Sequence, residues 1–422
     1  MNYTMKKSLR CLGLAASFCL LSTAAFAGVQ KKPYLIYAGT NSTMNVQWQD
    51  TATETTNTLS WGTDTNYSLG SQTVSEYGSS HQHKYQITGL QPATHYYYKV
   101  ADKTNGVYGT GSFVTAPATS ATSAKFLAIG DTRSDPLQLE GVMQEMNKVI
   151  AADPTYQGLA IQAGDWVASD AETNWTNEWF GAPPFTKNPQ AVAFLAQQPI
   201  DGVKGNHEDS SGYSTYFPKY YPYPYPHETA KKGSSTTFNN LYWSFDYGPI
   251  HFTLVDQYST YTSGSAQYNW IVSDLAASTK PWKIIMFHEP SWGAGTGHAN
   301  NTTAQSVFDP LIKQYGVAVV YNGHNHNYAR CQVSTAGSDS IAPNVPYITN
   351  GGGGAPLDSV DLTYPHVVTA VSTNSYMTFN VSGNSLTINA YQVTQANGSP
   401  LSATVYNTNT MSTLIDTLTL TH

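Results

Sequence analysis

Cysteine is scarce: the 422-residue chain has three, and two of them, Cys11 and Cys19, fall within the first 27 residues. That stretch has the three parts of an export signal. Lys6, Lys7 and Arg10 come first, then the apolar run Cys11 to Leu21, then Ala25-Phe26-Ala27 as a cleavage sequence. With residues 1–27 removed only Cys331 remains, so no internal disulfide can close and stability must come from packing, or from metal. Charge is also scarce, 11% of residues, and its balance is negative at −7. Loss of the three N-terminal cations makes it more negative still, which excludes nucleic acid as the main partner. No later apolar run reaches the roughly 20 residues needed to cross a bilayer. The expectation is an exported protein without a membrane partner, periplasmic or secreted.

Aromatic residues and sheet-forming patterns are what the chain has instead, with 30 tyrosines. At about 100 to 200 residues per domain, the length predicts two or three domains. Between residues 28 and 117, short alternating strands such as Met44-Asn-Val46-Gln-Trp48 and Tyr96-Tyr-Tyr98-Lys-Val100 predict a β-sandwich. The stretch Leu90-Gln-Pro92-Ala-Thr94-His-Tyr96 leading into that strand resembles the tyrosine corner of fibronectin type III domains. A small polar segment, 118–124, is expected to link it to the remainder, 125–422.

From Lys125 the texture changes to buried apolar runs alternating with helical patterns, which predicts an α/β (α+β) fold with sheets covered by helices. Phe126–Ile129, Leu159–Ile161, Ile250–Val255, Ile284–Phe287 and Val317–Val320 are the clearest strands. Leu139, Val142, Met143, Met146, Val149 and Ile150 fall on one helical face, and Asp135 before Pro136 is expected as the N-cap. Alternating strands return near the C-terminus, at Tyr376–Val381 and Ser385–Tyr391.

Five short motifs follow apolar runs: Gly130-Asp131, Gly164-Asp165, Gly205-Asn206-His207-Glu208, Phe287-His288 and Gly323-His324-Asn325-His326. The C-terminal ends of strands are where open α/β sheets bind ligands. Carboxylates, an amide oxygen and neutral imidazoles together form a donor set for hard to borderline metal cations.

This order of motifs resembles the calcineurin-like metallophosphoesterases, and with the N-terminal sandwich it is most similar to the purple acid phosphatases. The resemblance implies a four-layer αββα sandwich and two metal ions, Fe, Zn or Mn. It implies Asp131, Asp165 and His326 at the first metal, Asp165, Asn206, His288 and His324 at the second, and Asp165 shared between them. It also implies hydrolysis of a small phosphomonoester by metal-bound hydroxide, with His207 as acid/base and His298 in the substrate pocket. The physics agrees: metals about 3.5 to 4 Å apart clamp both oxygens of an in-line displacement and can bring the pKa of water from 15.7 to about 7. That leaves no need for a covalent enzyme intermediate.

Two positions depart from the family pattern. The tyrosine that purple acid phosphatases carry three residues after the second aspartate is Ala168, and the histidine that other calcineurin-like relatives carry two residues after the first is Arg133. A guanidinium matches phosphate bidentately, so Arg133 is expected to contact substrate. The run Tyr220-Tyr-Pro-Tyr-Pro-Tyr-Pro226 is expected as a surface loop or a stiff flap, and Gly351–Gly354 as a turn or a close approach to phosphate. Two other functions fit the same sequence, a phosphodiesterase or nucleotide hydrolase and a catalytically degenerate exported binding protein.

Overall fold

The structure, a computed structural model, describes residues 28–51, 56–78, 80–103 and 106–422. The expected export signal, residues 1–27, lies outside them. Near the N-terminus, a three-stranded antiparallel sheet, Val29–Ile36, Met44–Asp50 and Gln82–Ile87, faces a four-stranded one, Gly70–Val74, Asn57–Gly62, His95–Asp102 and Gly106–Val114. Along His95–Asp102 every second residue is buried, the alternation that a sandwich strand requires. Trp48, Leu59, Tyr98, Val100 and Phe113 fill the space between the sheets. The Tyr96 hydroxyl accepts a 2.9 Å hydrogen bond from the Gln91 amide, closing a tyrosine corner.

Two large sheets follow, stacked face to face. The six-stranded sheet has the order Ile200–Gly202, Ala160–Gln162, Ser123–Ile129, Asn374–Ser382, Ser385–Gln395 and Thr410–Thr421, with the first three strands parallel. Its strand Ser123–Ile129 begins inside the segment expected as a linker. The seven-stranded sheet has the order Trp243–Tyr247, Ile250–Leu254, Trp282–Met286, Val319–Asn322, Tyr347–Asn350, Tyr328–Cys331 and Val367–Val371. Phe126 of the first sheet stacks on Phe379 at 4.4 Å and meets Phe252 of the second edge-on at 5.3 Å. Helix α1 (Pro136–Ala152) packs outside the six-stranded sheet, α2 (Pro189–Gln197) packs against α1 and against Val29–Ile36 and Gly106–Val114 of the sandwich, and α3 (Ala266–Ala277) and α4 (Thr302–Tyr315) pack outside the seven-stranded sheet. The four layers match the expected fold class.

Helix α1 buries Leu139, Val142, Met143, Met146 and Ile150, each side chain contributing about 1.5–3 kcal/mol of apolar burial. Pro136 takes the first helical position. The expected Asp135 cap is corrected in detail: its side chain makes no capping bond, and its backbone carbonyl receives the Gln138 and Leu139 amides instead. Cys331 is buried and free.

The tyrosine–proline run is a surface loop only in part, with Pro224 and Pro226 exposed. Tyr220, Tyr221 and Tyr223 are buried. They wedge between the N-terminal sandwich and the large sheets, where the Tyr34 hydroxyl donates to the Tyr220 carbonyl and Tyr223 stacks on Trp243 at 4.5 Å. The error is one of composition: Tyr and Pro signal a polar loop, but tyrosine rings carry enough apolar surface to fill an interface. Beside them Glu172 joins both sides, accepting from buried Lys31, from Lys219 at 3.0 Å and from the Tyr220 hydroxyl.

This clasp carries a pH prediction. Burial alone would raise the Glu172 pKa, but Lys31 outweighs it and brings the carboxyl down to about 2. A depressed carboxylate contributes stability that is present above its unfolded value, about 4.3, and is lost as pH falls toward 2. Because Glu172 is partly exposed, the expected difference between wild type and Glu172→Gln is on the order of 1 kcal/mol at neutral pH, vanishing at low pH. Urea midpoints measured from pH 7 to pH 2 check it, and parallel curves for the two proteins would contradict it.

Candidate metal centre

Each motif sits in the turn just past a parallel strand. Asp131 follows Ser123–Ile129, Asp165 follows Ala160–Gln162, Asn206 follows Ile200–Gly202, His288 follows Trp282–Met286, and His324 follows Val319–Asn322. Three of these residues have left-handed backbone, Asp131 at φ 52, Asp165 at φ 56 and His324 at φ 70. Asp and His are among the residues that tolerate this conformation, yet such strain concentrates where a turn must aim a side chain. The glycines before them are needed because backbone and donors crowd together. A Cβ on Gly205 would lie 2.1 Å from Asp165 Oδ1, and one on Gly323 would lie 2.2 Å from Asp131 Oδ2.

The donors form two groups that share one carboxylate. Asp131, Asp165 and His326 each offer an atom such that all three lie within 4.8 Å of one another. On the other side, His288 Nε2 is 3.2 Å from Asp165 Oδ1, 3.1 Å from Asn206 Oδ1 and 3.3 Å from His324 Nδ1, which is itself 3.1 Å from Asn206 Oδ1. Backbone carbonyls fix two of the imidazoles. His288 Nδ1 donates to Ala163 O at 2.8 Å and His326 Nδ1 to Pro356 O at 2.7 Å, so in each ring Nε2 is the nitrogen turned toward a cation. The donor chemistry therefore fits a pair of metal ions.

The electrostatics of the bare donors point the same way. Burial lifts Asp131 well above the usual carboxylate range. Burial and the neighbouring His288 press His324 down to about 2, keeping it neutral. Burial would lower His288 as well, but Asp165 outweighs it and raises the ring to about 10. A cation arriving here must displace that proton, so its affinity rises with pH.

The remaining expected residues surround these donors. His207 donates Nδ1–H to Ala168 O at 2.7 Å and its amide to Asp165 Oδ1 at 3.1 Å, which leaves Nε2 facing the site, 3.8 Å from Asp165 Oδ2. His298 is not a detached loop residue: its ring lies 4.0 Å from that of His324, and its amide donates to Asn325 Oδ1 at 3.1 Å. Arg133 does not project into open space but reaches the first donor group, with Nε 3.1 Å from Asp165 Oδ2 and Nη2 3.1 Å from His326 Nε2. All the expected site residues thus converge on one location.

Three supporting residues were missed. Buried Glu208 accepts the amides of Asp165, Val167 and Gly205, binding two of the turns together, and its place in the Gly205–Glu208 motif was the available signal. Glu178, on a π-helical turn Trp175–Phe180, accepts the amides of Ser134 and Ala168 at 2.8 Å each. Asp358 accepts the His326 amide at 2.9 Å. Neither of the last two lies near a motif in sequence. The glycine run serves close packing: a Cβ on Gly353 would meet Gly130 O at 2.3 Å, where the Gly353 amide donates to that same carbonyl.

Residues 124–328 match the calcineurin-like phosphoesterase family, and with the geometry above they form a metallophosphoesterase domain. Residues 31–115 match the purple acid phosphatase N-terminal domain, so the chain carries the two-domain arrangement of the purple acid phosphatases. It is 27% identical over 304 residues to purple acid phosphatase 15 of Arabidopsis thaliana, covering 66% of this chain and 54% of the relative. Against purple acid phosphatase 1 of Ipomoea batatas it is 32% identical over 181 residues, covering 38% and 37%. The chain therefore spans only about a third to a half of these relatives' length. Among solved structures, a purple acid phosphatase from yellow lupin (Lupinus luteus) seeds has a TM-score of 0.69 at 15% identity, over 93% of this chain and 74% of that one. PhoD has the same score at 13% identity, over 95% and 91%. These two likenesses concern the fold. No helix among the described residues is long and apolar enough to cross a membrane.

Proposed function

We propose that this chain is an exported, binuclear-metal phosphatase acting on small phosphomonoesters, with a sandwich domain at 28–117 and the catalytic domain at 125–422. The observation that carries the reading is Asp165, which belongs to both donor groups: its Oδ1 lies 3.2 Å from His288 Nε2, and it offers an oxygen within 4.8 Å of donor atoms of Asp131 and His326, the position of a carboxylate shared by two cations. Asp131, Asp165 and His326 would hold one ion, and Asp165, Asn206, His288 and His324 the other. When bound, such a pair neutralises charge at phosphorus and makes hydroxide available near neutral pH.

The chain's own groups do the rest. His207, whose Nδ1–H is held by the Ala168 carbonyl, delivers a proton to the leaving oxygen from Nε2 when the ring is an imidazolium, and is left as the neutral Nδ1–H tautomer. His298 and Arg133 supply donors for phosphoryl oxygens at the mouth. Retention of Asp131, Asp165, Asn206, His207, His288, His324 and His326 argues against a degenerate binding protein. The test is exhaustive chelation followed by reloading with Fe, Zn or Mn, assayed on nitrophenyl mono- and diesters. Activity should fall at least about a hundredfold and return on reloading, with the monoester preferred. Full activity after chelation would sink the proposal, and a preference for diesters would move it to phosphodiesterase chemistry.

A further inference from the structure

Arg133 makes three hydrogen bonds: Nε to Asp165 Oδ2 at 3.1 Å, Nη2 to His326 Nε2 at 3.1 Å and Nη1 to Ser134 Oγ at 3.0 Å. The second is decisive. His326 Nδ1 carries its proton toward Pro356 O, so Nε2 has a single lone pair, and Nη2–H takes it. A metal at that nitrogen and the guanidinium bond exclude each other. In the second donor group, Asn206, His288 and His324 make no hydrogen bond to an Arg or Lys among the described residues, and Arg133 reaches the shared Asp165 through Oδ2 whereas His288 faces Oδ1.

We propose that Arg133 is a displaceable internal cation that occupies the first donor group in the metal-free protein and must be expelled for the first ion to bind. The inference rests on the binuclear reading above and adds an order to it. The second site fills first, because no guanidinium has to leave its nitrogens. The first site fills at the expense of two hydrogen bonds to charged or buried partners. The side chain is 15% exposed and so has a route outward. Once expelled, the guanidinium has lost its carboxylate partner and is free to take a phosphoryl oxygen. Anion affinity then arises only in the fully loaded protein, which prevents a half-loaded site from trapping phosphate.

Calorimetric titration of the metal-free protein with Zn²⁺, in wild type and Arg133→Ala, tests this without an activity assay. Wild type should bind two ions in steps separated by about tenfold or more. In Arg133→Ala the weaker step should tighten by about tenfold while the tighter step stays unchanged. Inorganic phosphate should bind the loaded variant severalfold more weakly than loaded wild type. Should the alanine variant not fold, Arg133→Met keeps the aliphatic stem and carries the same expectation. Two ions bound with the same constants in wild type and variant overturn this proposal alone. One ion per chain in both overturns it together with the binuclear reading.

Discussion

Asp165→Asn is expected to lower kcat/KM on nitrophenyl phosphate by at least about a thousandfold and to leave the purified protein with no more than one metal ion per chain. Asparagine has the same shape, and its oxygen can still accept the His207 amide that Asp165 Oδ1 receives at 3.1 Å. Packing around this buried position should therefore survive. What is lost is a negative charge facing two donor groups at once, and with it the means of holding two cations close together. A thousandfold corresponds to about 4 kcal/mol of transition-state stabilisation, a modest demand on a metal pair that acts on both nucleophile and charge. Metal content and steady-state kinetics on the same preparation check it. Two ions with activity within tenfold of wild type would show that Asp165 is not the shared ligand.

The second large effect is expected at His207 and takes a different form. His207→Ala should keep both metal ions yet lower kcat by about a hundredfold to ten-thousandfold. The loss should be greater for an alkyl phosphate than for nitrophenyl phosphate, because a poor leaving group needs the proton and nitrophenolate does not. The side chain is 29% exposed and its Nε2 lies 3.8 Å from Asp165 Oδ2, outside the core, so its removal opens no cavity there. Equal losses for the two esters would reassign His207 from proton donor to phosphoryl binder.

The motifs were legible because strand ends impose a strict local grammar. A ligand aimed from a tight left-handed turn needs a small residue before it, so glycine followed by Asp, Asn or His stands out even in one sequence. Convergence of Asp131, Asp165, Asn206, His207, His288, His324 and His326 then follows from parallel strands carrying them to one end. Glu178 and Asp358 had no such grammar: Glu178 accepts amides ten and 44 positions away and Asp358 one 32 positions away, relations that only the folded chain creates. Arg133 was legible as a phosphate-matching group, but its bond to His326, 193 positions away, was not. The tyrosine–proline wedge failed for a related reason, since whether a tyrosine faces water or a second domain is decided by what docks on it.

The sandwich has a seam, and the donors straddle it. Asp131, Asp165 and Asn206 project from the six-stranded sheet, His288 and His324 from the seven-stranded one, and His326 from the turn that follows His324. Any slippage of one sheet across the other would pull these two half-sets out of alignment, so the aromatic layer of Phe126, Phe252 and Phe379 acts as a distant clamp on coordination distance. Conversely, ions bound there would rivet both leaves. Loading them would join the halves into one mechanical unit, and losing them would let each sheet move with its own helices.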